Sequence, residues 1–453
     1  MAPSPAVPTK RQPAGRPMAD RLTRDRRAVL VALVVIRLVN AWSIATFFQP
    51  DEFFQALEPA WDLAFGTATR PWLTWEWNHQ LRSSLHPALF ALAYLVAETL
   101  SSWLPISLTS RTAIIMAAPK LLQAIFAALG DWYTWQLAVT IYGRESTASL
   151  SVLLLQIFSP WQWYVSTRTF SNSFETTLTA MALYYWQWKL LAPAVRAKEN
   201  TKPRPDILGP RSRRRAALCL AALAVVLRPT NVLIWATIIA MTLTRLTLSG
   251  PSPLTRSSIL ALGGDAVLCG GAVLAISLVS DRLYFGSWTF PPLHWLRFNI
   301  SHSLAVFYGR NPWHYYLVQA LPLLCTTSLP FALHGLVSPT PSASTPIDRP
   351  DMLRPLSATV FVTIAVLSLV SHKEVRFVYP SSPPSTSSPP HEQPPSSPPS
   401  RHPLPVVGSV TGLTSSPASA STSVWPATSV SSTSQPPWPS WLTSATSTSA
   451  STP

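Results

Sequence analysis

The stretch that decides the fold is residues 47–59, FFQPDEFFQALEP. It directly follows an apolar run, 28–48, which is long enough to cross a bilayer. Three carboxylates, those of Asp51, Glu52 and Glu58, come just past the end of this run. A carboxylate in hydrocarbon is costly, so acids beside a span usually lie in water, in a cavity or at a functional site. The pattern predicts a span, a turn at the proline and a short surface helix that carries the acids. A solvated loop with incidental acids is the alternative.

The composition is that of a protein with many membrane spans. Of 453 residues, 47% are hydrophobic and 12% are charged, whereas soluble domains carry about 25% charged residues. The formal net charge is +15, which is first a topology indicator here because cytoplasmic loops collect Lys and Arg. Nucleic-acid binding is not expected, since the charges flank apolar runs and form no separate basic domain. The three cysteines do not have the spacing of a zinc site or of a disulfide framework.

Charge and apolar runs together predict the topology. Arginines precede the first run, so we predict a disordered, basic, cytoplasmic N-terminus at 1–27. The most basic loop, 195–215, returns to the same side if every run crosses. The short run 132–142 could instead be re-entrant or part of a bent span. The apolar runs are 28–48, 86–104, 112–130, 132–142, 147–165, 174–192, 216–228, 231–248, 259–280, 317–337 and 356–371. The runs 216–228 and 231–248, with a proline and polar residues between them, resemble a broken or hairpin pair of helices.

The remaining polar segments then fall on the opposite, luminal side. They are a first loop at 49–85, a second loop at 281–313 and the motif at 371–377, SHKEVRF. Tryptophan is frequent in both loops, which suits a membrane interface and equally suits stacking on sugars. We therefore predict an all-α polytopic membrane domain at 28–380 with long luminal loops.

Residues 381–453 are dominated by Pro, Ser and Thr and contain no apolar run long enough to cross a bilayer. This composition predicts a disordered tail. Because the tail begins directly after a well-formed motif, it is either genuine or the product of a faulty gene model.

Acids, arginines, a histidine and many tryptophans on one membrane face suit transfer chemistry on a lipid-linked substrate. A carboxylate such as Asp51 could deprotonate a sugar hydroxyl, and Arg or Lys could stabilise a leaving phosphate. A transporter is the second hypothesis, since intramembrane acids can couple to protons. Transporters, however, concentrate polar residues near mid-span and contain internal repeats. Here the acids singled out lie in the predicted luminal loops, and no repeat is visible.

The motifs, taken in order, resemble glycosyltransferase family 22, a family of mannosyltransferases with the GT-C fold. The segments that carry the resemblance are FFQPDEFFQALEPAW at 47–61, LTWEWNHQLRSSLH at 73–86, STRTFSNSFE at 166–175, LRPTNVLIW at 227–235, DRLYFGSWTFPP at 281–292, AVFYGRNPWHYYLVQALP at 305–322 and SHKEVRFVYP at 371–380. The resemblance implies a multi-pass enzyme of the endoplasmic reticulum membrane with a luminal site. It would take mannose from dolichyl-phosphate mannose and add the third, α1,2-linked mannose to the glycosylphosphatidylinositol (GPI) precursor. The donor is β-linked, so transfer would invert the anomeric centre with one base and no covalent intermediate.

The resemblance also implies roles for individual residues. Asp51 is expected to be the base and Glu52 to bind or orient the acceptor, with a helix N-terminal charge as the alternative for Glu52. His372, Lys373 and Arg376 are expected at the donor phosphate, with lipid headgroup contact as the alternative. Further substrate contacts are expected from Trp75, Glu76, Arg82, Trp313 and His314. The expected partners are the lipid-linked donor, the GPI-precursor acceptor and the membrane, with no metal, no cofactor and no nucleic acid.

Two departures from the family pattern limit these expectations. Many members have His before Pro-Asp-Glu, where this chain has Gln49. Members also continue with further spans after the His-Lys-Glu motif, whereas here the tail follows. The alternatives that stay open are a related α-mannosyltransferase acting on a lipid-linked oligosaccharide, a truncated inactive member and a lipid-sugar transporter.

Overall fold

The protein is built from helices of very different lengths. The computed structural model describes residues 25–144, 146–191, 208–248, 256–301, 309–337 and 352–381, and it contains no strand within these ranges. The α-helices are α1 (Arg26–Ser43), α2 (Glu58–Phe65), α3 (Trp75–Asn78), α4 (Leu85–Ser102), α5 (Leu108–Tyr142), α6 (Thr147–Phe158), α7 (Pro160–Val165), α8 (Ser171–Tyr185), α9 (Arg211–Leu227), α10 (Val232–Leu248), α11 (Arg256–Phe285), α12 (Pro291–Ser301), α13 (Leu321–Cys325), α14 (Leu329–Val337) and α15 (Leu353–Leu369). Shorter π-helical turns lie at Phe53–Leu57 and Tyr316–Ala320, and 3-10 turns at Thr67–Thr69, Trp188–Leu191, Pro229–Asn231, Thr326–Ser328 and Val375–Ser381.

The segments predicted to be disordered contribute little to the described structure. Residues 1–24 and 382–453 lie outside the described residues, and so does most of the basic loop 195–215. The prediction of a disordered N-terminus and tail therefore stays a prediction. What the structure describes is the helical part between them.

Helix α5 shows that two predicted spans are one. It continues for 35 residues and ends at Gly143, whose φ of 96° is a conformation that suits glycine because it has no Cβ. Counting 112–130 and 132–142 as two separate crossings is therefore wrong, and the alternative that 132–142 is part of a longer span is closer to the structure. The polar Asp131 between the two runs does not end the helix, because its carboxylate is buried and paired with Arg37 of α1 at 2.6 Å.

Helix α5 is antiparallel to α1. The ammonium of Lys120, in the first half of α5, donates to the carbonyl of Ile44 at the end of α1. Further along α5, Asp131 meets Arg37 in the middle of α1. The face of the bundle at which α1 ends, just before Asp51, is called the site face below.

Helix α4 does not return the chain to the other side of the bundle. It is joined to α5 by a short turn and packs against the first half of α5 in one apolar cluster. It is therefore parallel to α1, and the α4–α5 hairpin projects beyond the site face. The predicted crossing at 86–104 does not occur in this structure, because hydrophobicity alone does not give a helix its direction. In place of the three predicted crossings, α4 extends outward from the site face and α5 crosses back once. One crossing and three crossings end on the same side, so the sides predicted for all later loops are unchanged.

The predicted luminal loops contain helices. The first, 49–85, holds α2 and α3, and α2 packs on α4. The second begins later than predicted because α11 continues to Phe285, and it contains α12. The run 147–165 divides into α6 and α7 at Ser159, whose hydroxyl accepts from the N–H of Gln162 at 3.3 Å and caps α7.

The bundle has the apolar character of a membrane protein. Among the described residues, three helical segments are long and apolar enough to cross a bilayer: α5, α11 and Tyr316–Val337. Helices α6 and α15 are shorter and also apolar. The predicted fold class, an all-α polytopic bundle, is confirmed.

The end of the bundle away from the site face is basic. Helices α9 and α11 both begin there, and Asp265 of α11 is buried against Arg211, Arg214 and Arg215 of α9. Basic residues at the ends of apolar helices indicate the cytoplasmic side. That the site face is the luminal side stays a prediction.

Candidate active site

Asp51 and Arg376 form an ion pair at the site face. Arg376 Nη1 lies 2.5 Å from Asp51 Oδ2, although the two residues come from the first and last motifs of the sequence. A short helical segment begins at Asp51. The carbonyl of Pro50, just before it, accepts from the N–H groups of Phe53 and Phe54. The side chain of Asp51 is 17% exposed and that of Arg376 is 8% exposed. The carboxylate is therefore partly exposed and has a buried cation beside it.

Glu374 organises the last motif. Its carboxylate accepts from His372 Nε2 at 3.0 Å and from Arg376 Nε. Burial alone would raise the pKa of Glu374, but the hydrogen bond from His372 and the charge of Arg376 outweigh it and lower the pKa to about 2. The same hydrogen bond raises the pKa of His372. Glu374 thus stays ionised and orients its two neighbours.

Lys373 points away from this cluster. Its side chain is buried, and Nζ donates to the carbonyls of Asn311 at 2.9 Å and Val370 at 2.5 Å. Asn311 Nδ2 donates in return to the Lys373 carbonyl at 2.8 Å. In this structure Lys373 fastens the second loop to the last motif.

Glu52 has a different arginine from that of Asp51. Arg168 Nη1 donates to Glu52 Oε1 at 2.9 Å and to the Thr46 carbonyl at 2.8 Å, and its guanidinium lies 4.4 Å from the ring centroid of Tyr164. Burial raises the pKa of Glu52, and the ion pair with Arg168 offsets this only in part. Adjacent acids are therefore held in two distinct environments.

Arg228 brings a further cation to the site face. It follows the end of α9 in an extended conformation, and Nε lies 3.3 Å from Glu175 Oε2 of α8. Glu175 Oε1 accepts from Asn231 Nδ2 at 2.8 Å, and Asn231 Oδ1 accepts from Trp235 Nε1 at 2.9 Å. The charge of Arg228 also interacts with those of Asp51, Arg82 and Arg376.

The first loop adds a second acid–arginine pair. Arg82 Nη2 donates to Glu76 Oε1 at 3.1 Å, and Gln55 Nε2 donates to Glu76 Oε2 at 3.1 Å. Because the charge of Arg82 also acts on Arg228, this pair borders the cluster. That Glu76 and Arg82 contact substrate stays a prediction.

Three aromatic residues predicted to contact substrate lie at the surface. Trp75 is 40% exposed and packs on Phe298 at 5.4 Å between ring centroids. Trp313 is 69% exposed and contacts the exposed His314 ring at 5.6 Å. The structure does not bring these rings against Asp51 or Arg376, and their roles stay predictions.

Sequence reasoning missed several charged residues of the cluster. Arg168, Glu175 and Arg228 lie within quoted motifs but were not singled out as site residues. Lys120 is the lone charged residue of the apolar run 112–130, and a charge inside a membrane segment is a functional indication in itself. Their pairing depends on which helices meet, which no local pattern contains.

In the part of the chain that the structure describes, the ion pairs are not accompanied by a metal-ligating group, and one cavity lies apart from them. Within the described residues, no three His, Cys, Asp or Glu side chains come together in a way that could hold a metal ion. Metal independence remains a prediction. A cavity of about 110 Å³ lies deeper in the bundle, between Gln162, Tyr379 and Leu356, and Asp51 and Arg376 do not line it.

Comparison with known proteins identifies the family. The model of the Alg9-like mannosyltransferase family matches residues 28–386. The chain belongs to the Alg9-like mannosyltransferase family. The family membership predicted from the sequence motifs is thereby confirmed.

Two curated relatives carry the name GPI mannosyltransferase 3. The protein of Gibberella zeae is 62% identical over 364 residues, which cover 80% of this chain and 59% of that protein. The protein of Aspergillus fumigatus is 48% identical over 366 residues, covering 78% and 46% respectively. The chain thus spans less than two thirds of the length of these relatives. A crystal structure of ArnT from Cupriavidus metallidurans bound to undecaprenyl phosphate is matched with a TM-score of 0.49 and 12% identity, over 79% of this chain and 57% of that one.

Proposed function

We propose that the chain is a mannosyltransferase that adds the third, α1,2-linked mannose of the GPI precursor, using dolichyl-phosphate mannose in the endoplasmic reticulum lumen. Family membership supports the reaction class, and the names of the relatives support the acceptor. The observation that carries the proposal is the Asp51–Arg376 pair, which places a partly exposed carboxylate beside a buried cation.

Transfer needs a proton acceptor and a site for a leaving phosphate. An acceptor hydroxyl oxygen attacks the anomeric carbon of the donor mannose, and its proton passes to the Asp51 carboxylate. The bond from that carbon to the phosphate oxygen breaks, and its electron pair leaves with dolichyl phosphate. Attack opposite to the leaving group inverts the β-linked donor to an α-linked product. One base is sufficient, and no residue becomes covalently attached to the sugar.

Arg376 has two partners in this scheme. It holds Asp51 in the structure, and a guanidinium is also well suited to bind a phosphate through two parallel hydrogen bonds. Donor binding would draw Arg376 toward the phosphate and release Asp51 to accept the proton. Glu374 would keep Arg376 and His372 oriented during this exchange, because its own carboxylate stays ionised.

The decisive assay uses membranes that contain the intact chain. They are given dolichyl-phosphate mannose labelled in the sugar and a GPI precursor with two mannoses. A labelled three-mannose product that an α1,2-specific mannosidase shortens supports the proposal. Label on a lipid-linked oligosaccharide instead would indicate another acceptor, and movement of the donor across vesicles without a new glycosidic bond would indicate a transporter.

A further inference from the structure

Arg228 is held at the site face by contacts on several sides. Besides the ion pair with Glu175, Nη1 donates to Ser171 Oγ at 3.1 Å, and the guanidinium carbon lies 5.6 Å from the ring centroid of Phe377. The side chain is 11% exposed. Within the described part of the chain, Nη2 of Arg228 makes no hydrogen bond or ion pair, so its N–H groups have no partner there.

The carboxylate that holds Arg228 is itself fixed. Glu175 is buried, and its other oxygen accepts from Asn231, which is oriented by Trp235. Asn231 Nδ2 also donates to Thr179 Oγ1 at 2.9 Å. A buried ion pair inside a membrane bundle is costly to build, and the elaborate support indicates that the direction of the guanidinium matters.

The surroundings of Arg228 favour an anion. Helices α8 and α10 both begin at this place, α8 at Ser171 and α10 just after Asn231. Helix N-termini carry partial positive charge and present free N–H groups. The guanidinium carbons of Arg228 and Arg376 lie 5.6 Å and 5.9 Å from the ring centroid of Phe377. A phosphate beside this ring would meet two guanidinium groups from separate segments of the chain.

We propose that Arg228 is a further ligand of the donor phosphate, with Glu175 and Asn231 as positioning residues for its guanidinium. The inference rests on the proposed function and names a phosphate-binding residue that the sequence did not suggest. Arg228 supplies the N–H donors on Nη2, and Arg376, from the motif at 371–380, supplies further N–H donors. Glu175 prevents the Arg228 side chain from turning away. The recognised chemistry is a phosphate ester, whether in a lipid headgroup or as free phosphate.

The test is a binding measurement on the full chain in a non-ionic detergent without phospholipid. Quenching of tryptophan fluorescence is followed with dolichyl phosphate, with dolichol and with inorganic phosphate as competitor. Arg228→Gln should weaken dolichyl phosphate binding about tenfold or more, the loss expected for one charged hydrogen-bonding partner. It should leave dolichol binding unchanged. Competition by inorganic phosphate would show that the headgroup alone is recognised.

Controls separate this role from a structural one. Arg111→Gln removes a surface arginine that pairs with Glu98 at 3.0 Å outside the cluster, and it should bind dolichyl phosphate like the wild type. Arg228→Lys keeps the charge but loses the fork, and it should bind with intermediate affinity. Glu175→Gln should reduce the preference for dolichyl phosphate over dolichol, whereas a purely structural defect would weaken both equally.

Two outcomes would overturn the inference, and they are distinguishable. If the wild type prefers dolichyl phosphate and both Arg228 variants keep that preference, Arg228 is not a ligand while the proposed function survives. If the wild type itself does not distinguish dolichyl phosphate from dolichol, the proposed function fails and the inference fails with it.

Discussion

Asp51 and Glu52 show how neighbouring residues of the same type acquire different chemistry. The Asp51 side chain is 17% exposed and paired with Arg376, and that of Glu52 is 11% exposed and paired with Arg168. Burial raises the pKa of Glu52 in spite of its partner. The two acids thus differ in their arginine partners, and the roles of base for Asp51 and of acceptor binding for Glu52 stay predictions.

Lys373 should matter for stability more than for the donor. Its buried ammonium satisfies the carbonyls of Asn311 and Val370, and a buried acceptor left without a partner costs about 1–3 kcal/mol. We expect Lys373→Met to lower the melting temperature in detergent and to leave the dissociation constant for dolichyl phosphate within about twofold, since a twofold change is only a fraction of one hydrogen bond. A tenfold loss of affinity in a variant with normal melting would instead place Lys373 at the phosphate.

His372 should make the stability of the last motif depend on pH. Its pKa is raised in the folded protein by the hydrogen bond with Glu374. The contribution is therefore fully present below the unfolded pKa of about 6.5, and it is lost as the pH rises through the folded value. We expect the melting temperature of the wild type to exceed that of His372→Gln at pH 6 and the gap to narrow by pH 9. A gap that widens with pH would contradict this pairing.

Site residues in local sequence motifs could be predicted, whereas pairs formed between distant segments could not. Asp51, His372 and Arg376 could be named because they sit in recognisable motifs next to apolar runs. The Arg168–Glu52 and Arg228–Glu175 pairs could not, because each joins segments that are distant in sequence and meet only after the helices pack. Lys373 shows the converse, since a cation in the right motif is turned toward backbone carbonyls.

A buried ion pair contributes to the α1–α5 contact, which also includes apolar packing of Leu33 against Trp135. Arg37 is fully buried, and besides Asp131 it donates to the carbonyls of Gln156 at 3.1 Å and Gln162 at 3.3 Å. Removing one partner of a buried pair typically costs about 3–5 kcal/mol, whereas an apolar replacement of both can be neutral. Asp131→Ala should therefore strongly lower the melting temperature, and Arg37→Leu combined with Asp131→Leu should recover part of the loss. A single variant that melts like the wild type would show that the pair does not hold these helices together.

The α5–α8 contact depends on the absence of a side chain. A Cβ built on Gly130 of α5 would lie 2.9 Å from Thr177 Oγ1 of α8, whereas a Cβ on Gly270 of α11 meets nothing within 4 Å. Overpacking costs about 1–3 kcal/mol, and Ala exceeds Gly in helix propensity by about 1 kcal/mol. Gly130→Ala should lower the melting temperature, and Gly270→Ala should leave it unchanged or raise it. The same response to both substitutions would exclude close packing at Gly130.

On the scale of the whole molecule, the topology brings the motifs to one face. The sequence predicted that the motifs share one side of the membrane. Two crossings were assigned wrongly, but the α4–α5 hairpin leaves the sides predicted for all later segments unchanged. Helix direction was not accessible from sequence, since the apolar run that forms α4 does not indicate which way the helix points. The contacts of Lys120 with Ile44 and of Asp131 with Arg37 fix the direction of α5. The short turn between α4 and α5 then fixes the direction of α4.

The measurement that tests the central claim most directly is mannosyl transfer by the intact chain and by Asp51→Asn, side by side in membranes at equal protein level. The account predicts a three-mannose GPI product with the wild type and with Glu98→Gln, which alters a surface acid outside the cluster. It predicts that Asp51→Asn lowers the rate by about 100-fold or more, the effect of removing a general base. Transfer by Asp51→Asn at the wild-type rate, or no product from the wild type, would contradict the account.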